Sequence, residues 1–215
     1  KGLDESGQSA AQIFSNVFAT NRAYALLYGP MISEDIRAGR NAFAQLGYQG
    51  MDTYAKVHGL FQGSALYLKP TQDIAGISWS VILKNVYALV FGMADQLKYG
   101  DNMRGFLTVF ALQELEQIVL QMGGQAGSPY HLAGLGDLIT TATSWDSHHH
   151  ELGCMLAREE VENISGEGIH TLQMVKQHNL FRIEDFPLFK LINDIVIKPR
   201  DVRDKINRFI ASVYS

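Results

Sequence analysis

The chain has few of the residues that cross-link or punctuate a fold: one cysteine and five prolines in 215 residues. Cys154 alone cannot close an internal disulfide, which suits a reducing compartment and makes the cytosol the expected location. An excess of charge of either sign is also missing. The 18 basic and 22 acidic side chains give a formal charge of -4 and do not gather into blocks. That leaves no electrostatic case for nucleic acid or an anionic membrane as a partner. No methionine and no charged-then-apolar leader opens the chain, so Lys1 reads as the start of a fragment or a processed product. Internal repeats and low-complexity tracts are absent. So is a Gly-x-Gly-x-x-Gly between a strand and a helix, the cradle that a dinucleotide pyrophosphate needs. Gly134-Leu-Gly136 comes nearest, but Ile139 stands where the third glycine belongs.

Apolar residues make up 47% of the chain, enough for a sizeable core. The longest apolar stretch, Ile74 to Met93, carries Ser78, Ser80, Lys84 and Asn85 in its middle. A lysine is expensive at the centre of a bilayer, so the stretch reads as a buried core helix. Before it the pattern is mixed. Short strands are expected at 23–28, 42–46 and 64–68, with helical segments at 33–38 and 52–61 between them. Pro70 closes this region, since proline disfavours helix at the residue before it and cannot continue a strand ladder.

From Asp73 onward nearly everything reads as helix. Asp73 can cap a helix to about Tyr99, and Gly100-Asp101-Asn102 stops it and starts another that ends at Gly123-Gly124. Shorter helices are expected from 134–141, at 151–160, and near 169–177, 187–196 and 201–214. The switch near residue 70 divides the chain into a mixed α/β part, 1–70, and a helical part, 71–215.

Lys84 is the first candidate for chemistry. Inside an apolar helix its ammonium loses solvation, which lowers a lysine pKa and suits it to general acid/base work on an alcohol or ketone. The i±4 row through it, Gly76, Ser80, Lys84, Ala88 and Gly92, is small throughout and leaves room for a ligand or another backbone. The same facts fit an ion-paired core lysine on a helix built for close packing. In the Gly134-Leu-Gly136-Asp137 segment, the glycines allow close backbone approach, and Asp137 could cap a helix or hold the Lys84 ammonium. Thr140 and Thr141 offer hydroxyls to a substrate oxygen. His148, His149 and His150, with Asp146 and Glu151 nearby, suggest no metal site, because adjacent histidines diverge on a helix and no second ligand pair has a familiar spacing.

Taken together, Leu83-Lys84-Asn85, Gly100-Asp101-Asn102 and Gly134-Leu-Gly-Asp-Leu138 resemble the NAD(P)-dependent glycerol-3-phosphate dehydrogenase family in order and spacing. Lys1-Gly2-Leu3, Gly29-Pro30 and Glu167-Gly168 resemble further family motifs. The resemblance implies a mostly α fold: a multi-helical, 6-phosphogluconate-dehydrogenase-like C-terminal domain preceded by a short α/β remnant of a dinucleotide-binding domain. It implies hydride transfer between NAD or NADP and the pair glycerol 3-phosphate and dihydroxyacetone phosphate, with the cofactor bound mainly upstream of Lys1. Lys84 would be the acid/base, with Lys1 and Asp137 in the same site. Asn85, Gly29, Thr141, Ser147, His148 and His149 would meet the substrate, and Glu167 and His148 would lie near the cofactor. A homodimer is compatible with the long apolar helices.

Two departures from the family pattern stand out. Ser147-His148-His149 replaces Ser-Arg-Asn, whose arginine and asparagine hold the substrate phosphate, and Val109-Phe110-Ala111 replaces Thr-Arg-Gly. Histidine is mostly neutral at pH 7 and lacks the arginine fork, so phosphate affinity should fall or become steeply pH-dependent. A non-catalytic relative that keeps the fold for binding or dimerisation, or a dehydrogenase for another hydroxyl substrate, fits the same departures.

Overall fold

The computed structural model describes residues 2–18, 23–144, 147–160 and 164–214. The first helix, α1 (Ala10–Phe18), was not expected. It starts at a reciprocal cap: Gln12 N donates to Ser9 Oγ at 3.3 Å and Ser9 N donates to Gln12 Oε1 at 2.8 Å.

Strands β1 (Ala25–Tyr28), β2 (Ala42–Tyr48) and β3 (Leu66–Thr71) form one sheet in that order. β1 runs antiparallel to β2, with Tyr28 opposite Gln45, and β3 runs parallel to β2. Helix α2 (Ser33–Arg37) makes the first connection and α3 (Met51–Leu60) the second. Contrary to the expectation at Pro70, β3 continues through it to Thr71, with Pro70 opposite Leu46. β3 is one of the two outer strands of the sheet, where a missing N–H is tolerated.

Asp73 caps α4 (Ile74–Gln96), accepting from Gly76 N at 2.9 Å. Every residue from Gly76 to Ala94 is buried. Among the described residues α4 is the one helix long and apolar enough to cross a membrane, and 94% of its most apolar window lies inside the protein. Around it pack α5 (Asp101–Gln121), α6 (Asp137–Thr143), α7 (His148–Ala157), α8 (Glu167–His178) and α9 (Pro187–Ile197), while α10 (Val202–Val213) lies on α9. The large core spreads from Leu3 to Phe209 and includes Tyr87, Phe91, Phe186 and Phe189. A smaller cluster of Tyr28, Ile77, Val81 and Ala133 joins the sheet to α4.

Two devices set the helix positions. Gly92 on α4 and Gly153 on α7 let the backbones meet, since a Cβ on Gly153 would collide with Leu89 O and one on Gly92 with His150 O. The buried Glu114 carboxylate on α5 accepts from Leu188 N at 2.6 Å, Phe189 N at 2.9 Å and Tyr87 Oη at 3.0 Å. It thereby satisfies the first turn of α9, whose leading N–H groups have no partner within the helix.

Candidate functional site

Lys84 sits midway along α4 with 7% of its side chain exposed. Its Nζ lies 3.1 Å from Asp137 Oδ1 and donates to Thr141 Oγ1 at 2.6 Å. Asp137 thus holds the lysine rather than capping α6, which has no side-chain cap. A π-helical turn, Leu132–Gly136, leads into α6 and brings Asp137 and Thr141 to the lysine. Gly134 is required there because a Cβ would strike Pro129 O, whereas a Cβ on Gly136 would meet only ordinary contacts. The turn is tied to the sheet: Ala133 N donates to Gln45 Oε1 at 2.9 Å, from a glutamine only 2% exposed.

The small residues around Lys84 serve packing at both ends of the row. Gly76 faces Asp73 and Ser128, and Gly92 faces the backbone of α7. Lys84 is therefore an ion-paired core lysine, and it also borders open space. A cavity of about 240 Å³ is lined by Lys84, Asp137, Thr140, Thr141, Ser144, Ser147 and His149, and from the segment after Gly29-Pro30 by Met31, Ile32, Ser33 and Glu34. A larger groove of about 520 Å³ lies between α9 and α10 and shares none of these residues. The sheet-side contribution from Met31 to Glu34 was not expected. The Gly29-Pro30 turn was the available signal: Gly29 has φ 157, and a Cβ there would collide with Phe43 O and Ala44.

Ser147 caps α7, accepting from His150 N at 3.3 Å, so the helix begins at His148 and not near Glu151. The three histidines then point in three directions, as successive residues on a helix must. His149 lines the cavity. His148 is exposed, and its Nε2 donates to Ser165 O at 3.0 Å, so it faces the start of α8 instead of the cavity. His150 is buried, and its Nε2 donates to Asp95 Oδ2 at 2.7 Å, while Arg104 grips the same carboxylate through Nε and Nη2, both at 2.8 Å. Burial pushes Asp95 up, but the hydrogen bonds from Arg104 and His150 outweigh it and hold the carboxyl below its ordinary value. Cys154 donates to Gly92 O at 3.3 Å, and burial raises its thiol, which makes it a packing residue.

The remaining candidates are placed as follows. Asn85 is buried in α4 and its carbonyl meets Gly168 of α8, outside the cavity lining. Gly29 precedes the lining segment without joining it. Glu167 opens α8 beside Gly2, where a Cβ would collide with its carboxylate. Lys1 and Asp146 lie outside the described residues. Among the described residues no three His, Cys, Asp or Glu side chains are grouped to hold a metal ion.

The family model for the NAD-dependent glycerol-3-phosphate dehydrogenase C-terminus matches residues 73–207. A glycerol-3-phosphate dehydrogenase [NAD(P)+] of Fusobacterium nucleatum is 27% identical over 98% of this chain and 65% of its own length. One from Mycobacterium avium is 33% identical over 71% of this chain and 45% of its own length. The chain thus spans about half to two thirds of such relatives. Among solved structures, a glycerol-3-phosphate dehydrogenase of Coxiella burnetii has a TM-score of 0.85 at 22% identity, covering 98% of this chain and 66% of that one. A Plasmodium falciparum glycerol-3-phosphate dehydrogenase has a TM-score of 0.82 at 16% identity, covering 96% and 62%. These two likenesses show the shared, mostly helical fold. Since the family match takes in more than half of the residues, the chain belongs to the NAD-dependent glycerol-3-phosphate dehydrogenase family and carries its C-terminal part.

Proposed function

We propose that the full-length protein containing this chain interconverts glycerol 3-phosphate and dihydroxyacetone phosphate, with Lys84 as acid/base. The observation that carries this reading is Lys84 held by Asp137 and Thr141 at the edge of a cavity. In the oxidation direction Lys84, as the free amine, takes the proton of the substrate hydroxyl while the carbon beneath it loses hydride. In the reverse direction the ammonium returns that proton to the carbonyl oxygen. Thr141 and Asp137 fix where Nζ stands, and that placement brings the larger part of the gain, because a misplaced proton donor loses rate steeply.

NAD or NADP would supply the hydride acceptor or donor. The described residues offer no strand, glycine turn and helix able to cradle its pyrophosphate, so its main site is proposed for a domain outside this chain, of which residues 1–70 are the end and 71–215 the substrate partner. Glu167 and His148 support a cofactor side at the start of α8, since both lie next to Ser165 and Gly166, and Glu167 abuts Gly2. The same proposal takes Lys1 as a second cation of the site, and places the protein in the cytoplasm, as a homodimer acting on a small molecule.

The test is reduction of dihydroxyacetone phosphate by the full-length protein and by its Lys84→Ala variant; equal rates refute the role of Lys84. A second reading, a relative that keeps the fold without turnover, is favoured by His148 turning to Ser165 where a phosphate ligand is expected. Turnover by the full-length protein eliminates it.

A further inference from the structure

The turn that carries Asp137 is held from outside by one buried side chain. Gln45 is 2% exposed on β2, the middle strand of the sheet, and its Oε1 accepts from Ala133 N at 2.9 Å. A buried side-chain amide is costly unless it is hydrogen-bonded, so this bond accounts for a glutamine at such depth. The side chain shares a strand face with Gly47, where a Cβ would meet Ile77 and Ile74 of α4. Tyr28, opposite Gln45 on β1, packs with Ile77, Val81 and Ala133, so the bond lies beside an apolar cluster.

The turn needs an outside partner because its own bonds leave Ala133 N unused. Gly134 N and Gly136 N both donate to His131 O, at 3.2 and 3.1 Å, and Asp137 N donates to Leu132 O. The leading N–H groups of a helical turn have no acceptor within it. From Gly136 the chain passes directly into α6, whose Asp137 and Thr141 hold Lys84 Nζ at 3.1 and 2.6 Å. We propose that Gln45 is a positioning residue for the proton transfer: through Ala133 it fixes the turn, and through the turn it sets where Asp137 and Thr141 hold Nζ. The inference rests on the proposed role of Lys84 as acid/base. Gln45 itself lies outside the cavity lining. The same sheet supplies Met31 to Glu34 to that lining, so the bond also ties one wall of the cavity to the other.

A double-mutant cycle in the full-length protein tests this. Gln45→Met keeps the length of the side chain and removes the acceptor. It should slow kcat for dihydroxyacetone phosphate reduction about 10–100-fold and leave KM within about threefold, the pattern of a misplaced acid/base and not of a lost substrate contact. With Lys84→Ala already present, Gln45→Met should change kcat by less than about twofold, since no Nζ remains to be misplaced. An equal proportional loss in both backgrounds, or an unchanged kcat in Gln45→Met alone, overturns the positioning role. Failure of the catalytic reading shows separately, as equal rates in the parent and Lys84→Ala. Amide hydrogen exchange in the unaltered protein covers the case in which Gln45→Met does not fold. The Ala133 amide should be protected as strongly as those in the middle of α4, and exchange at the rate of an exposed amide overturns the proposal.

Discussion

Replacing Glu114 by Gln keeps the shape of the side chain and removes one acceptor where three donors converge. Leu188 N reaches one carboxylate oxygen, and Phe189 N and Tyr87 Oη share the other. The amide oxygen of glutamine can serve Leu188 N, which places the NH₂ group against Phe189 N–H. Tyr87 can turn its hydroxyl to accept, but a backbone N–H cannot, so one buried donor loses its partner. That costs about 1–3 kcal/mol, and for a chain of this size ~2 kcal/mol lowers the melting temperature by about 4–8 °C. The pH dependence adds a second signature. Burial raises the Glu114 carboxyl above its ordinary 4.5, against the pull of its three hydrogen bonds. The folded state then holds more protons than the unfolded one above pH 4.5, so this group's contribution to stability falls as pH rises through the folded pKa. Glutamine lacks that linkage, and the gap between the two proteins should narrow from acid toward neutral pH. Thermal melts followed by circular dichroism at several pH values read both effects. A variant as stable as its parent at every pH would falsify the assignment of Glu114 as the cap of α9.

Two further substitutions probe the frame around the site. Asp73→Ala removes the acceptor for Gly76 N, Gln125 N and Ser128 Oγ; it should cost about 1–3 kcal/mol in urea denaturation, and a loss below a few tenths of a kcal/mol would refute the capping role. Gly153→Ala forces a methyl group onto Leu89 O and should lose about 1–3 kcal/mol. Gly105→Ala, on α5 with open space around it, should be neutral or gain about 0.5–1 kcal/mol. Equal effects of the two glycine changes would show that α4 and α7 do not need the close approach.

What the sequence makes legible here is mostly local. Asp73 before a long apolar run, Gly100-Asp101 between two helices and the short apolar runs of the strands are written in neighbouring residues, and those elements stand close to where they are expected. The Ser9 to Gln12 cap and the apolar face of α1 were equally local, yet α1 is only nine residues long and was missed. Pro70 misled because its tolerance depends on β3 being an outer strand, which is a property of the sheet. The site shows the same division. Lys84 stood out because a charge in an apolar helix is conspicuous, and Asp137 because it follows two glycines. The cavity wall from Met31 to Glu34, the Gln45 bond to Ala133 and the Asp95 partner of His150 depend on chain segments dozens of residues apart. No spacing rule reaches that far.

Rescue of a lost Lys84 tests most directly whether this side chain moves the substrate proton, as proposed. In the full-length protein, Lys84→Ala should reduce dihydroxyacetone phosphate about 10²–10⁴-fold more slowly. Added methylamine should restore part of the rate in proportion to its concentration, because a small primary amine can occupy the space and carry the proton. Lys84→Arg, which keeps the charge but cannot give up a proton, should stay slow. Full turnover by Lys84→Ala, or restoration by Lys84→Arg, would contradict the account.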